Sequence, residues 1–159
     1  MARGRLESSG PPKGLLRLAF RLPVGLYRAR LGFLLGRRFL MIEHRGRKSG
    51  RIRRTVLEVV ARHPDALYVV AAWGDKAQWL RNVRANPEVR VHIGFYRFRT
   101  TARVVDEETG SRILAEYAAR HPRAFRALAG RILDDAGDTP QETVGRMAAV
   151  LPVVELPRS

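Results

Sequence analysis

Residues 39–63, FLMIEHRGRKSGRIRRTVLEVVARH, combine two extended patterns with a strongly basic connection. The first part, FLMIEH, is an apolar run that predicts a strand. The last part, RRTVLEVVARH, alternates around β-branched residues, which predicts a second strand. Gly46 and Gly50 lie in the connection and permit tight backbone geometry. The stretch therefore predicts two strands joined by a basic turn.

Three more predicted strands and a short helix follow this pair. A turn at HPDA leads to LYVVAAW, and the runs EVRVHIG and YRFRTTARVVD meet at Gly94 and Phe95 as a hairpin. Between them, GDKAQWLRNVRANP predicts a loop and a short helix that stops at Pro87. Three helical patterns follow Asp106, and LPVVEL predicts a last strand. Short connections between neighbouring strands predict an α+β fold, a small antiparallel β-barrel with flanking helices.

The N-terminal part predicts a tail and a helix pair. Residues 1–12 are polar and rich in Gly, Ser and Pro, which predicts a flexible tail before a single domain over residues 13–159. Within residues 13–36, leucines and arginines follow helical spacing on both sides of Pro23, which predicts two amphipathic segments. Two interpretations stay open: the apolar face packs on its own domain, or it makes peripheral contact with an anionic membrane.

The charge balance favours anionic partners. The chain has 30 Lys and Arg residues against 15 Asp and Glu residues, a formal net charge of +15. Such a surface attracts nucleic acid, anionic lipid, or a small molecule with phosphates and carboxylates. A solvated surface without a dedicated partner is the alternative. Aromatic residues do not interleave with the basic ones as a base-stacking platform requires, so nucleic acid is the least favoured partner.

Composition also excludes several chemistries. The chain has no cysteine, which excludes disulfides, thiolate zinc sites and a cysteine nucleophile. Its four histidines are scattered and form no metal-binding pattern, so no metal site is predicted. No run of about 18 uncharged apolar residues is present, and no cleaved signal is evident at the N-terminus. A cytoplasmic location is expected, with membrane association through residues 13–36 as the alternative.

The basic turn, defined as residues 46–51, is the first candidate site. Lys48 and Ser49 offer side-chain donors, and backbone N–H groups at such a turn can hold an anion. Alternation places Arg51 and Arg53 on one face and Arg54 on the other. The turn predicts phosphate or polycarboxylate binding, with His44 and Arg45 in supporting roles. A hairpin tip that contacts only water is the alternative.

The second candidate site is AAWGDKAQWLRNVRANP, residues 71–87. Two alanines at the end of the strand leave room for a flat ring beside the backbone. Gln78 and Asn82 are four apart and share a helix face, and Trp79 neighbours Asn82. An aromatic plane beside amide donors suits a heteroaromatic ligand. Trp79 as a core anchor is the alternative.

Three stretches in this order give a specific resemblance: LMIEHRGRKSGRIRRTVLEVV, YVVAAWGDKAQWLRNVRANPEVRVHIG and FRTTARVV. They resemble the deazaflavin-dependent nitroreductase family, split-β-barrel oxidoreductases of actinobacteria and some relatives that use coenzyme F420. The markers are the GRKSG turn, a Trp-x-x-Asn pair, and RANP before a V-x-V strand. The related group that binds flavin mononucleotide (FMN) has the same barrel but usually lacks this pairing. FMN is therefore the alternative cofactor.

The resemblance implies roles for individual residues. The turn would grip the phosphate and oligoglutamate tail of the cofactor, the following strand would line the deazaflavin, and the third strand and the Trp-containing helix would enclose the ring. The implied cofactor-binding residues are Arg47, Lys48, Ser49, Gly50, Arg53, Arg54, Thr55, Val56, Leu57, Glu58, Ala71, Ala72, Trp73, Gly74, Gln78, Trp79 and Asn82. Near the substrate, the resemblance implies Trp73, Tyr117 and His121.

Some positions depart from the family pattern. Val56 stands where many members have Pro, and Trp73 stands where better-studied members have a small hydroxyl residue. Only Tyr117, with His121 and Phe125 nearby, stands where nitroimidazole-reducing members present several tyrosines. The function implied is hydride transfer from reduced deazaflavin to an electron-poor substrate such as a quinone, an enone or a nitro compound. The alternative is a non-catalytic binder of a deazaflavin, a flavin or an apolar ligand.

Overall fold

The computed structural model describes residues 37–135 and 137–158. Within these ranges the strands are β1 (Phe39–Arg45), β2 (Ile52–Arg62), β3 (Ala66–Val70), β4 (Glu88–Ile93), β5 (Tyr96–Thr101), β6 (Arg103–Val104) and β7 (Val153–Pro157). The helices are α1 (Gln78–Ala85), α2 (Glu107–Arg120), α3 (Pro122–Ile132) and α4 (Pro140–Val150), and a 3-10 turn covers Gly74–Lys76. The tail, helix pair and membrane contact predicted for residues 1–36 lie outside the described residues.

The strands form one antiparallel sheet in the order β5-β4-β1-β2-β3-β7-β6. Strand β2 has 11 residues and is shared, because its first part pairs with β1 and its last part pairs with β3. A register shift between Val59 and Ala61 marks an irregularity of the kind that bends a strand. Since β5 and β6, at opposite ends of the order, follow each other in the chain, the sheet is a nearly closed barrel. The predicted α+β split barrel with flanking helices is confirmed.

The register of β1 and β2 decides which side chains face the barrel interior. His44 lies opposite Arg53, and Glu43 lies opposite Arg54. Because side chains alternate along a strand, His44 shares the interior side with Ile42, and Glu43 lies outside. Arg54 Nε donates to Glu43 Oε1 at 2.9 Å on that outer side. The prediction that Arg53 and Arg54 point to opposite faces is confirmed.

One hydrophobic cluster fills the barrel and includes α1. Leu40, Ile42 and Val91 contribute from the strands, and Leu80 and Val83 contribute from α1. Leu80 is 0% and Val83 is 1% exposed, so the apolar face of this short helix is completely covered. Burial of that face holds α1 against the barrel and fixes the position of its polar face.

The other hydrophobic cluster lies between the outer side of the barrel and helices α2, α3 and α4. Tyr68 and Ala61 contribute from the strands, and Leu114, Tyr117 and Met147 contribute from the helices. Helices α2 and α4 begin at side-chain caps. The Asp106 side chain accepts from Thr109 N–H at 2.7 Å, and Thr139 and Glu142 form a capping box.

One strand prediction needs correction. The run YRFRTTARVVD was predicted as a single strand, but it divides at Ala102 into β5 and β6. Thr101 pairs with Glu88 of β4, whereas Arg103 pairs with Glu155 of β7. Ala102 itself is buried and its N–H donates to Pro87 O at 2.9 Å. The chain changes partner strands at this small residue, which alternation alone does not reveal.

None of the helices within residues 37–135 and 137–158 combines the length and apolar character that crossing a membrane requires.

The docking of α1 is tested by a matched pair of substitutions. Val83→Ala removes two methyl groups from the buried face of α1 and is expected to lower the free energy of unfolding by about 2 kcal/mol. Val150→Ala makes the same change at a 43% exposed position on α4 and should cost below about 0.5 kcal/mol. Urea unfolding measures both, and equal losses would contradict the packing of α1 into the barrel.

Candidate functional site

The basic turn is a compact loop closed by its own backbone. Gly46 N–H donates to Arg51 O at 2.8 Å, and Gly50 N–H donates to Gly46 O at 2.8 Å. Gly50 has a φ of 66°, a left-handed conformation that glycine adopts without steric cost. Arg45 Nη1 donates to Gly50 O at 3.0 Å, which agrees with the supporting role predicted for Arg45. The loop therefore has a defined shape before any ligand binds.

Arg47 attaches the basic turn to α1. Its backbone N–H donates to Asn82 Oδ1 at 3.1 Å, and its Nη1 donates to the same oxygen at 3.0 Å. Nη1 and Nη2 both donate to Gln78 Oε1 at 3.1 Å. Gln78 and Asn82 thus share a helix face, as their spacing predicts. The two stretches singled out in the sequence are in direct contact.

His44 lies beneath this contact. The residue is 3% exposed, with Nε2 at 3.1 Å from Thr55 Oγ1 and Nδ1 at 3.3 Å from Asn82 Nδ2. Burial, assisted by the positive charge of Arg53, lowers the pKa of His44 from 6.5 to about 4, so the ring is neutral at pH 7. The sequence predicted only a supporting role for His44. The alternation that places Leu40 and Ile42 inside the barrel is the pattern that could have identified its burial.

Three cations of this region are available to a ligand. Lys48, Arg51 and Arg53 are exposed, and their side chains form no hydrogen bond or ion pair with other described residues. The basic turn itself contains no carboxylate. Arg54, by contrast, is paired with Glu43 on the outer side of the sheet. The structure therefore leaves Lys48, Arg51 and Arg53 exposed in or next to the basic turn, and it directs Arg54 to the other face of the sheet.

Most backbone N–H groups of the basic turn have internal acceptors. Those of Gly46, Arg47, Gly50 and Arg51 donate within the protein. The N–H groups of Lys48 and Ser49 are left without an acceptor among the described residues. An anion at this turn would therefore meet mainly side-chain donors and the N–H groups at the tip.

The segment after β3 turns sharply and exposes an aromatic ring. Ala71 is buried and its N–H donates to Pro152 O at 3.0 Å, while Gly74 N–H donates to Ala71 O at 2.8 Å. Gly74 has a φ of 55°, and a Cβ there would lie 3.1 Å from Val150 O, so only glycine fits well. Ala72 is half-buried, and Trp73 is 45% exposed.

Trp79 occupies a different environment from Trp73. It is 7% exposed and belongs to the cluster inside the barrel. The structure therefore places Trp79 as a core anchor of α1, the alternative considered from the sequence. The polar contacts of this helix with the basic turn come from Gln78, which is exposed, and from Asn82, which is buried.

The residues predicted along β2 divide between two faces. Thr55 and Leu57 share the inner side with His44, whereas Val56 and Glu58 lie on the outer side. Because β2 presents both sets, the predicted cofactor residues of this strand do not form one surface. The inner set adjoins the basic turn and α1, and the outer set adjoins α2.

Tyr117 and His121 lie with the outer set. Tyr117 is 1% exposed and its hydroxyl donates to Glu58 Oε1 at 3.0 Å. Burial, with the negative charge of Glu58, raises the pKa of Tyr117 to about 12, so its proton is firmly held at neutral pH. His121 is exposed at the end of α2, with its ring centroid 5.7 Å from that of Tyr117. The structure does not bring this pair together with the basic turn through any described contact.

Solved structures of three other proteins have the same fold. An F420-H2 dependent reductase, FDR-A, aligns with a TM-score of 0.54 and 22% identity over 76% of this chain and 94% of its own. The heme storage protein HutZ from Vibrio cholerae aligns with 0.52 and 17% identity over 84% and 91%. A conserved hypothetical protein from Mycobacterium tuberculosis aligns with 0.54 and 16% identity over 83% and 80%. At these identities the likeness establishes the fold alone.

The fold and the exposed cations define a split-barrel protein with a basic turn held against α1. The model of the F420H(2)-dependent quinone reductase family matches residues 19–131, more than half of the chain. The chain belongs to this family. Membership confirms the resemblance to deazaflavin-dependent enzymes and supports coenzyme F420 as the cofactor and an F420H2-dependent oxidoreductase as the class. No curated protein is similar enough to the chain to count as a match.

The lowered pKa of His44 predicts a pH dependence of stability. In the unfolded chain the ring takes up a proton near pH 6.5, whereas in the folded protein it does so only near pH 4. The unfolded state therefore binds more protons in this window, and the free energy of unfolding falls as pH drops through it. From about pH 7.5 to about pH 4.5 the loss from His44 is roughly 2 kcal/mol.

Urea unfolding at both pH values measures this loss. The wild type should lose about 2 kcal/mol more on acidification than His44→Gln, which has no titrating ring. Carboxylates such as Glu43 contribute to both proteins, so the difference isolates the histidine. Identical pH dependence in the two proteins would show that His44 is not buried as a neutral ring.

Proposed function

We propose that this protein uses reduced coenzyme F420 to reduce a quinone, with the basic turn as the site for the anionic tail of the cofactor. The attachment of the basic turn to α1 through Arg47 carries the proposal, because it joins the two stretches that the sequence assigned to one cofactor. Family membership shows the cofactor and supports a quinone as the substrate.

The residues of the basic turn fit the tail chemically. Coenzyme F420 bears a phosphate and glutamate carboxylates, which are hard oxygen anions. Lys48, Arg51 and Arg53 present three exposed cations with no internal partner among the described residues. Charge-assisted hydrogen bonds to phosphate and carboxylate are stronger than neutral ones. Ser49 and the two N–H groups at the tip add neutral donors beside these charges.

The segment from Ala71 to Gly74 suits the ring of the cofactor. Its alanines carry little bulk, and Trp73 offers an exposed aromatic face at the same turn. Aromatic side chains pack against flat conjugated systems in offset or edge geometries. Trp73 would then border the ring and limit which acceptors approach it. Trp79 would contribute indirectly, because it anchors the helix that holds the basic turn.

The protein's own contribution is positioning and exclusion of water. When bound, reduced F420 supplies a hydride, and the quinone also takes up a proton to become a hydroquinone. Tyr117 holds its proton because its pKa is raised to about 12, so the proton source we favour is solvent. Reduction of enones or nitro compounds and non-catalytic ligand binding are the other activities predicted from the sequence, and turnover measurements distinguish them.

Other aspects of the biology remain predictions. A cytoplasmic location and peripheral membrane contact through residues 13–36 are expectations from the sequence. A hydrophobic quinone would reside in the lipid phase, so contact with the membrane would bring the protein to its acceptor.

Cofactor binding is tested by titration with oxidised F420, followed by quenching of deazaflavin fluorescence. Lys48→Ala and Arg51→Ala should each weaken binding by about tenfold, because each removes a charged donor from the basic turn. Arg126→Ala makes the arginine change on the exposed face of α3 and should leave the affinity unchanged. Added salt should weaken the wild type more than the two turn variants.

Turnover of a quinone panel with reduced F420 completes the test. Absence of F420 binding by the wild type would refute the proposal outright. If Lys48→Ala and Arg51→Ala bind F420 as tightly as the wild type, the tail binds at another surface. Binding with no quinone, enone or nitro reduction would favour the non-catalytic binder.

A further inference from the structure

Arg47 determines the orientation of the Asn82 side-chain amide. Both the N–H and the guanidinium of Arg47 are donors only, and they approach the same atom of Asn82 at 3.1 and 3.0 Å. That atom must be the carbonyl oxygen, because an amide nitrogen would face two donors. The Asn82 NH₂ group therefore points in the other direction, towards His44.

The orientation of Asn82 in turn determines the tautomer of His44. Asn82 Nδ2 is a donor, so His44 Nδ1, 3.3 Å away, must be an acceptor without a hydrogen. A neutral ring then carries its hydrogen on Nε2, which donates to Thr55 Oγ1 at 3.1 Å. Burial of His44 next to Arg53 keeps the ring in that neutral form. The chain of donors and acceptors from Thr55 to Arg47 is consistent at every step.

We infer that His44, as the neutral Nε2–H tautomer, is a positioning residue that holds the basic turn on α1 for the anionic tail. It accepts from Asn82, which leaves the Asn82 oxygen directed at Arg47 and keeps Lys48 and Ser49 at the exposed tip. This inference rests on the proposed function, since it assigns the tail of F420 to the basic turn. His44 itself is buried, so it would act through Asn82 and Arg47.

A phenyl ring at position 44 has no hydrogen-bonding atoms and would interrupt the series of hydrogen bonds from Thr55 to Arg47. In His44→Phe, the buried Asn82 NH₂ group loses its acceptor, so the arrangement in which Asn82 Oδ1 accepts from Arg47 carries an unsatisfied donor and is destabilised. Arg47 would keep Gln78 as an acceptor on α1 but would be held less firmly by Asn82, so the basic turn would lose part of its fixed position. His44→Gln is the conservative control, because a glutamine amide offers an acceptor oxygen and a donor NH₂ group in place of the two ring nitrogens.

The tautomer is measured on the wild type without any cofactor. Long-range ¹H–¹⁵N NMR spectra at about pH 7 distinguish a protonated from an unprotonated ring nitrogen. The expected spectrum shows Nδ1 without hydrogen and Nε2 with hydrogen for His44. An Nδ1–H tautomer or a doubly protonated ring would overturn the inference, whatever the protein binds.

The positioning role is measured by comparing two ligands. F420 carries the phosphate and glutamate tail, and its riboflavin-like precursor has the same ring without phosphate or glutamates. For the wild type, the ratio of the two dissociation constants gives the advantage that the tail confers. In His44→Phe this advantage should fall by about tenfold while affinity for the tail-less ligand stays the same, and His44→Gln should restore most of it.

A merely structural defect would weaken both ligands together, which would overturn the inference, as would an unchanged ratio in His44→Phe. If His44→Phe does not fold, Thr55→Val removes the acceptor of Nε2–H with little change of shape and should reduce the same ratio by a smaller factor. Failure of the wild type to bind F420 would refute the proposed function instead, and the NMR spectrum would still decide the state of His44.

Discussion

The antiparallel register between β1 and β2 is the constraint on which the site depends. Pairing His44 with Arg53 puts both on the inner side, where α1 packs, and pairing Glu43 with Arg54 puts both outside. A shift by one residue would exchange the two sets, since side chains alternate along a strand. It would bury a carboxylate under α1 in place of a neutral ring. The register therefore determines both the barrel core and which arginine of β2 lies on the inner side of the sheet.

The site combines elements that are distant in the sequence. The basic turn has a defined backbone of its own, but its position relative to the barrel comes from Arg47 bound to α1. Helix α1 is in turn held by Leu80, Val83 and Trp79 in the barrel core. Apolar packing therefore makes the site rigid, and the polar contacts of Arg47 fix the position of the basic turn on α1. This division is common where a binding surface is built on a rigid scaffold.

Much of this could be predicted from the sequence because the information is local. Alternation, Gly and Pro identified the strands and turns, and the spacing of Gln78 and Asn82 identified a shared helix face. The break at Ala102 was missed because a change of partner strand leaves no mark on alternation. Alternation with Leu40 and Ile42 indicates that His44 faces inwards, but its hydrogen bond to Asn82 depends on how α1 packs, which the sequence does not show. The role of Trp79 was undecided, since a buried and a stacking tryptophan have the same local pattern.

The anchor of the basic turn has an electrostatic consequence. Arg47 is held by the amide oxygens of Gln78 and Asn82 rather than by carboxylates. An amide oxygen accepts the same hydrogen bonds but carries no net charge, so the guanidinium keeps its full positive charge. An aspartate or glutamate in either position would secure the loop and cancel part of its potential. The fold thus restrains an arginine mechanically while its field still reaches the solvent, where an anion would first encounter it.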